Sequence, residues 1–298
     1  MIMQYSKSNY LMWTNIEITI FSDSNSLDDI YDWFWIFYWL EKEFSRFIED
    51  SDLSLLNKNR KLEVSDRFID VIKKAISIYD DTNWFFNPLI NLKKIWYSSD
   101  FKKWDFREEN IAQNLDLYKL KIIWNTVILA ENQNLDLWWI VKWYWVDLVV
   151  WFLKDLRYNN FIINAWWDIY ISWNIDWKKS VVWIDNPFNT KLILATLELE
   201  NKAISTSWTY KRKWDIDWKK YNHILNPETN TNNNEIISIS LISENVHISD
   251  SYATACISMW IQKSLIFLEK QNIDWVIIWN DWNIYKTRWM NNYNLNII

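Results

Sequence analysis

Two oxygen-bearing side chains in the last fifth of the chain, Asp250 and Thr254, have the types and the spacing to hold a hard divalent cation. Residues four apart on a helix share one face. Carboxylate and hydroxyl oxygens are ligands that Mg²⁺ accepts beside water and phosphate oxygens. Taken alone, however, an Asp-x-x-x-Thr pair is better explained by helix capping through Asp250, so a metal site needs support from the rest of the chain.

Glycine and tryptophan are both anomalous, because the 298 residues include 26 tryptophans and no glycine. At the average glycine content of about 7%, roughly twenty glycines would be expected. Several tryptophans follow Asp or Asn, as glycine does in tight turns; these pairs begin at Asp32, Asn83, Asp176, Asp217, Asp274 and Asp281. We hypothesise that glycine is encoded by UGA and has been translated conceptually as tryptophan, so that most tryptophans stand for glycine. The alternative is a genuinely tryptophan-rich protein, and UGG codons at these positions would establish it.

The segment 135–147, LDLWWIVKWYWVD, becomes LDLGGIVKGYGVD when glycine replaces its tryptophans. This pattern predicts a strand end, a glycine-rich turn and a helix start. Such a turn lets the backbone approach an anionic ligand closely, and a helix N-terminus favours negative charge. Lys142 adds a cation, and Asp136 could accept hydrogen bonds from a ribose or a flavin edge. The alternative interpretation is a tight connection that carries surface charges.

The chain has two histidines and one cysteine. Taken alone, His223 is best explained as a satisfied structural residue. For His247 a surface or capping role is the preferred interpretation. Cys256 lies on a predicted apolar helix and is expected to be a buried structural thiol. One cysteine excludes an intrachain disulfide framework and a cysteine-rich zinc cluster.

The elements that must position these residues predict an α+β protein with mixed or antiparallel sheets flanked by helices. Apolar periodicity predicts a strand at 16–21 and helices at 27–47 and 66–79, the second with Ser65 as N-cap. Further along we predict a loop-rich stretch (82–116), a hairpin (121–130), a helix (141–155), one buried strand (161–171), strands near 179–184, 192–199, 203–206 and 236–242, a helix (251–269), and a terminal hairpin turning at 281–282. No repeat or interdomain linker stands out, so we predict a single domain over residues 1–298.

Charge and hydropathy exclude several classes of protein. A net charge of −6 and a pI of about 5.1 disfavour a nucleic-acid-binding face. No segment reaches the ~20 uncharged apolar residues of a membrane span. The first nine residues are polar and contain no hydrophobic run of signal-peptide type, so we expect a cytoplasmic protein without a membrane span.

Ordered blocks over nearly the whole chain, from about residue 11 to 287, resemble the motifs of the ApbE family of FAD:protein FMN transferases. The segment 135–147 is similar to the family's DLGGIAKGYAVD-like motif. The other blocks are LMWT (11–14), FSRFIEDSDLSLLN (44–57), TNWFFNPLI (82–90), INAWWD (163–168), ISTSWTY (204–210), HILNPET (223–229) and DSYAT (250–254). Tryptophan stands where the family has glycine at Trp13, Trp84, Trp138, Trp139, Trp143, Trp166, Trp167 and Trp208.

This resemblance implies a role for individual residues. Contacts to FAD or its flavin are implied for Met12, Phe47, Phe85, Phe86, Asn87, Asp136, Lys142 and, through its backbone, Leu225. Magnesium is implied to bind Asp250, the Thr254 hydroxyl and the backbone carbonyl of Trp139. His223 becomes the candidate catalytic base. Four residues depart from the family pattern, namely Asn87 and Asn226 in place of aspartates, Asn230 in place of glycine and Val141 in place of alanine.

The activity implied is transfer of FMN from FAD to a Thr or Ser hydroxyl of an acceptor flavoprotein, with Mg²⁺ as cofactor and AMP as the released product. One alternative is an FAD pyrophosphatase that yields FMN and AMP, which would use the same residues. Another is a non-catalytic flavin-binding protein, which the two lost carboxylates at Asn87 and Asn226 favour. Family members are often extracytoplasmic or membrane-anchored, in contrast to the cytoplasmic location expected above.

Overall fold

The computed structural model describes residues 2–11, 14–89, 114–173, 179–189, 191–210, 213–216, 219–222, 224–229 and 231–298. Its helices are α1 (Leu27–Phe44), α2 (Asp52–Asn59), α3 (Asp66–Asp81), α4 (Trp138–Asp155), α5 (Val246–Ser258) and α6 (Ile261–Lys270). Its strands are β1 (Met3–Leu11), β2 (Thr14–Ser22), β3 (Lys61–Glu63), β4 (Lys121–Ile123), β5 (Thr126–Ile128), β6 (Phe161–Ala165), β7 (Asp168–Ser172), β8 (Ser180–Asp185), β9 (Ile193–Leu199), β10 (Lys202–Trp208), β11 (Lys213–Ile216), β12 (Lys219–Asn222), β13 (Ile236–Ser243), β14 (Asp274–Trp279), β15 (Ile284–Lys286) and β16 (Asn296–Ile297).

The central element is an 8-stranded sheet in the order β1-β2-β6-β7-β10-β13-β14-β15. Its neighbouring strands pair antiparallel. Side chains alternate between the two faces of a strand. Ile16, Ile18 and Ile20 of β2 and Phe161 and Ile163 of β6 therefore point into one core, which is shared with the helices.

Helices cover this face of the sheet. α1 packs on β1, α4 packs on β6 and β7, and α5 packs on β10 and β13. Small side chains allow the close approach of α5, because Ala203, Ser205 and Ser207 of β10 face it at alternate positions. The chemistry-bearing helices α4 and α5 also pack on each other.

The opposite face is covered by the small sheet β16-β9-β8. Residues of β8 and β9 such as Val182, Ile184 and Leu197 pack with Ile204 and Ile242 of the large sheet in a second core. The architecture is therefore α+β, as the sequence predicts.

Several predicted elements need correction. The predicted helix 27–47 ends at Phe44, because Ser45 becomes extended and its hydroxyl accepts the Phe47 N–H at 3.2 Å. The predicted strand 161–171 is the hairpin β6–β7, which turns at Trp166 with φ 70°. The predicted helix 251–269 is two helices, since Met259 and Trp260 are both extended.

The remaining predictions have mixed outcomes: one is confirmed, two elements were not predicted, and one stretch lies mostly outside the described residues. α3 begins after Ser65, whose hydroxyl accepts the Phe68 N–H at 3.0 Å, as expected for an N-cap. The polar N-terminus, for which no element was predicted, forms β1, and α2 was also missed. Most of the predicted loop-rich stretch, residues 90–113, lies outside the described residues. No helix among the described residues is long and apolar enough to cross a bilayer.

Candidate functional site

A buried cluster of charge lies where α4 and α5 meet the large sheet. Lys142, on the second turn of α4, forms an ion pair with Oδ2 of Asp168, the first residue of β7. Their side chains are only 16% and 3% exposed. The second oxygen of Asp168, Oδ1, is buried without a hydrogen-bond partner. An oxygen of this kind favours a nearby donor or cation, because an unpaired buried polar atom costs about 1–3 kcal/mol.

Asp250 of α5 lies against the same cluster. Burial, reinforced by the negative charge of Asp168, raises the pKa of Asp250 well above its usual range, and Lys142 acts in the opposite direction. Two carboxylates and one ammonium carry one excess negative charge when all three are ionised. A divalent cation held by Asp250 would offset that charge and favour the ionised form of this carboxylate.

Hydroxyl groups complete this cluster. Ser207 of β10 lies 3.2 Å from the Thr254 hydroxyl of α5, and it also hydrogen-bonds Asp250. Two residues earlier on β10, the Ser205 hydroxyl lies 2.8 Å from the Ser249 hydroxyl. Asp250 and Thr254 both lie on α5, so their four-residue spacing places them on one face of a helix, as predicted.

The start of α4 holds a second charged pair. Arg46 forms an ion pair with Asp136, a buried residue two positions before the helix. The other oxygen of Asp136 accepts the Trp138 N–H at 3.0 Å. Arg46 also stacks 4.9 Å from the Phe47 ring, which in turn contacts the ring of Trp138 at 5.4 Å. Trp139 follows in the first turn of α4, half-buried and on the same helix as Lys142.

Asn57 fixes the approach to this helix. Its side-chain amide donates to the Leu135 carbonyl and accepts the Leu135 N–H, both at 2.8 Å. α4 itself has no side-chain cap at its N-cap residue, Leu137. Asp136 therefore supplies the negative charge that a helix N-terminus favours.

The predicted aromatic residues lie at two places. Phe86 is buried against Trp143 of α4, with ring centroids 5.9 Å apart. Phe85 lies at the C-terminal end of α5, where its carbonyl accepts the Ser258 hydroxyl at 3.0 Å. The ammonium of Lys263 lies 4.8 Å from the Phe85 ring. Phe86 therefore belongs to the α4 side of the site and Phe85 to the far end of α5.

The two asparagines that replace aspartates have local hydrogen bonds. Asn226, 1% exposed, accepts the N–H groups of Glu228 and Thr229 and donates to the Ser258 carbonyl at 2.8 Å. Asn87 donates to the Leu115 carbonyl and accepts the Leu89 N–H, both at 2.9 Å. An asparagine can donate and accept at once, so both side chains order the loops around them.

Leu225 is buried beside Asn226, close to the C-terminal end of α5. Met12 and His223 lie outside the described residues. His247 lies in the first turn of α5, where its backbone N–H and its ring both contact Asp147 of α4, so it receives a cap from that carboxylate and does not supply one. The structure thus brings Lys142, Asp250 and Thr254 into one cluster and places Asp136, Phe47 and Phe86 along the first turns of α4.

Tryptophan occupies backbone positions that suit glycine. Left-handed φ angles occur at Trp84 (63°), Trp124 (53°), Trp166 (70°) and Trp282 (69°). Such angles are unfavourable for any residue with a Cβ and favourable for glycine. Of the predicted turn pairs, Asn83-Trp84 has both residues at positive φ and Asp281-Trp282 has one. Asp32-Trp33 lies inside α1 and Asp274-Trp275 begins β14, so these two pairs do not form turns. The pairs 176–177 and 217–218 lie outside the described residues.

Indole groups also crowd the site. Trp143 is fully buried, and its Nε1 has no hydrogen-bond partner, as is also true of Nε1 in Trp33, Trp173 and Trp279. At the strand ends beside Asp168 and Ser207, the ring centroids of Trp166 and Trp208 lie 6.2 Å apart. A buried indole N–H normally finds a partner, so these four side chains are poorly accommodated where they lie.

Sequence reasoning missed three site residues. Asp168 ends the block INAWWD, Arg46 lies in FSRF, and Ser207 lies in ISTSW, yet none was singled out. The available signal was a charged or polar residue inside each apolar block, since charges are rarely buried unless they are paired. Within the described residues no three His, Cys, Asp or Glu side chains form a metal-binding group. A metal here would therefore depend on hydroxyl and carbonyl oxygens beside the carboxylates.

Comparisons with known proteins agree on one family. The sequence model of the ApbE family matches residues 12–277. The structure is similar to that of the ApbE protein from Thermotoga maritima, with a TM-score of 0.87, 18% identity, and coverage of 98% of this chain and 99% of that one. Vibrio cholerae flavin transferase ApbE gives a TM-score of 0.82 at 19% identity, with coverage of 98% and 100%. Pseudomonas stutzeri flavinyl transferase ApbE in its apo form gives a TM-score of 0.80 at 18% identity, with coverage of 96% of this chain and 94% of that one. No curated protein sequence matches significantly.

Proposed function

Because the chain belongs to the ApbE family, we propose that it is a flavin transferase that moves FMN from FAD to a Thr or Ser hydroxyl of an acceptor flavoprotein and releases AMP. The observation that carries this proposal is the buried cluster of Lys142, Asp168 and Asp250 beside the Ser207–Thr254 hydroxyl pair. It lies at the family's metal motif and next to a helix start that suits phosphate.

The residues of the cluster fit magnesium. The Asp250 carboxylate and the Thr254 hydroxyl are hard oxygen donors, which Mg²⁺ prefers, and the family resemblance adds the backbone carbonyl of Trp139. The unpartnered Asp168 Oδ1 and the excess negative charge both favour a cation there. A backbone carbonyl keeps a second lone pair when its helix uses the first. Bound magnesium would supply charge neutralisation for the pyrophosphate of FAD.

The protein's own groups would orient FAD. Lys142 provides a positive charge beside the start of α4, and Asp136, held by Arg46, is placed to accept hydrogen bonds from the nucleotide. Phe47 and Phe86 offer aromatic surface on the same side. The family resemblance adds Met12, Phe85, Asn87 and Leu225 to the FAD contacts.

In the proposed reaction, the acceptor's hydroxyl oxygen bonds to the flavin-proximal phosphorus of FAD. The bond from that phosphorus to the bridging oxygen breaks, and AMP leaves with the bridging oxygen. The hydroxyl proton passes to a base, for which we propose His223, since histidine titrates in the required range. A His223→Ala variant that keeps full transfer activity would remove this assignment.

This function belongs to the native chain, meaning the polypeptide that the source organism translates from its own codons. With indoles at residues 138, 143 and 208, the site would be obstructed, and we expect little or no transfer. The codons at residues 138, 139, 166 and 167 decide the matter, because UGA supports glycine and UGG supports tryptophan. Mass spectrometry of the native protein gives the same answer independently.

The test is incubation of the native chain with FAD, Mg²⁺ and an acceptor peptide that contains Thr or Ser. Covalent FMN on the peptide supports transfer, free FMN with AMP indicates the hydrolytic alternative, and unchanged FAD indicates a flavin-binding protein. Asp250→Asn and removal of Mg²⁺ with EDTA are the matched controls, and both should abolish covalent FMN. Transfer that persists in both controls would refute the assignment of the metal site.

A further inference from the structure

The first turn of α5 is capped by a side chain from another helix. Val246 N–H donates to Oδ1 of Asp147 at 2.8 Å, and His247 N–H donates to Oδ2 at 3.0 Å. Asn245, the N-cap residue of α5, makes no side-chain capping bond. The capping contact that a helix usually receives from its own N-cap residue therefore comes from α4.

The ring of His247 makes a third contact with the same carboxylate. Its Nδ1 lies 2.6 Å from Asp147 Oδ2. Side chains of Asp147 and His247 are 19% and 23% exposed, so the pair is largely shielded from water. The proposed reaction uses neither residue, yet the carboxylate ties α4 to α5 at three points.

Helix geometry connects this cap to the charged cluster. Lys142 precedes Asp147 by five residues, about 7.5 Å along α4, and Asp250 follows Val246 by four residues, about 6 Å along α5. Lys142 pairs with Asp168, against which Asp250 lies, whereas Asp147 meets the first turn of α5, so the two helices run antiparallel and meet at two levels with nearly equal spacing. The cap therefore fixes how far α5 slides along α4, and with it the position of Asp250 relative to Lys142.

We propose that Asp147 is a positioning residue whose cap on α5 holds Asp250 and Thr254 in the register that a divalent cation requires. This inference rests on the proposed function, because it presumes the metal site described there. Asp147 does not touch the reacting atoms and acts only through the axial position of α5.

Four variants of the native chain separate positioning from general stability. Asp147→Ala removes the cap, whereas Asp147→Asn keeps an oxygen that can accept one backbone N–H. His247→Ala removes the ring contact and leaves both backbone bonds. Tyr252→Phe is the matched control on α5, because it deletes one hydrogen bond, from Tyr252 to Asp81 of α3 at 3.0 Å, away from the cap.

The readout is Mn²⁺ affinity by electron paramagnetic resonance, with thermal unfolding recorded for each variant. We expect Asp147→Ala to weaken Mn²⁺ binding at least about tenfold, the lower end of the effect of losing a group that orients metal ligands. Asp147→Asn should recover most of the affinity, and His247→Ala and Tyr252→Phe should stay within about twofold of the parent. Unchanged binding in Asp147→Ala would overturn the inference, as would an equal loss in Tyr252→Phe.

Failure of the proposed function gives a different result. A parent chain that binds Mn²⁺ but transfers no FMN contradicts transfer and leaves the positioning inference to be judged by the affinities alone. A parent that binds no Mn²⁺ overturns the positioning inference directly, while FMN transfer is still scored by covalent flavin on the peptide.

Discussion

The hairpin β4–β5 gives the cleanest physical test of whether glycine belongs at the tryptophan positions. Trp124 lies in its turn with φ 53° and is 92% exposed. Its side chain therefore contributes almost no burial, and the residue's effect on stability comes mainly from its backbone. We predict that Trp124→Gly stabilises the printed chain, meaning the polypeptide with tryptophan at all 26 positions.

The magnitude follows from two opposing terms. A left-handed conformation costs an L-residue about 1–2 kcal/mol, and glycine escapes that cost. Glycine also lowers the stability of the folded state by about 0.5–1 kcal/mol, because it gives the unfolded chain more conformational freedom. The difference is a gain of about 0–1.5 kcal/mol in the free energy of unfolding, centred near 0.75 kcal/mol.

The assay is urea unfolding of the printed chain and of two variants, followed by circular dichroism. Trp151→Gly is the matched control, because Trp151 is 59% exposed but lies inside α4. Glycine is a poor helix former, so this variant should lose about 0.5 kcal/mol or more. Opposite signs for the two substitutions are the expected result. A destabilised Trp124→Gly variant would show that the left-handed turn does not call for glycine.

Three further outcomes are expected. Asp168→Asn should weaken Mn²⁺ binding by about 10–100-fold, because it removes a charge that faces Asp250, and binding within twofold of the parent would contradict this. Arg46→Ala should raise the KM for FAD about tenfold with little change in kcat, since Asp136 loses the charged partner that orients it; a fall in kcat alone would refute that role. Asn226→Ala should lower the free energy of unfolding, measured in urea, by about 2–3 kcal/mol, because the Ser258 carbonyl and two N–H groups lose their partner. A loss under about 0.5 kcal/mol would contradict this structural role of Asn226.

The sequence predicted local features of the site better than distant ones. Spacing alone placed Asp250 and Thr254 on one helical face, and both lie on α5. Asp168 was not recognised because its position depends on the β6–β7 hairpin. Tryptophan at residues 166 and 167 carries no turn signal of its own, so the apolar segment 161–171 resembled one buried strand.

Non-local contacts explain other differences. Apolar periodicity continues across residues 251–269 and predicts one helix, but α6 begins anew at Ile261, whose N–H donates to Glu235 at 2.7 Å. A nearer contact accompanies the early end of α1, where the Ser51 hydroxyl donates to the Ser45 carbonyl at 2.6 Å. Glu235 lies 26 residues from its partner, and no pattern within a sequence window contains such a contact.

The charged cluster determines the polar chemistry of the site, whereas the tryptophans affect the access of a ligand to it. Lys142, Asp168 and Asp250 are brought together by the packing of α4 and α5 on β7 and β10, and this packing is present with indoles in the turns. Residues 138–139 form the first turn of α4 and residues 166–167 form the turn between β6 and β7, and their side chains limit how closely a ligand can approach that cluster. Glycine at those turns would open the approach without moving the charges, because long elements rather than turns hold them. The polar chemistry is therefore encoded in the printed sequence, whereas access for FAD depends on how the codons are translated.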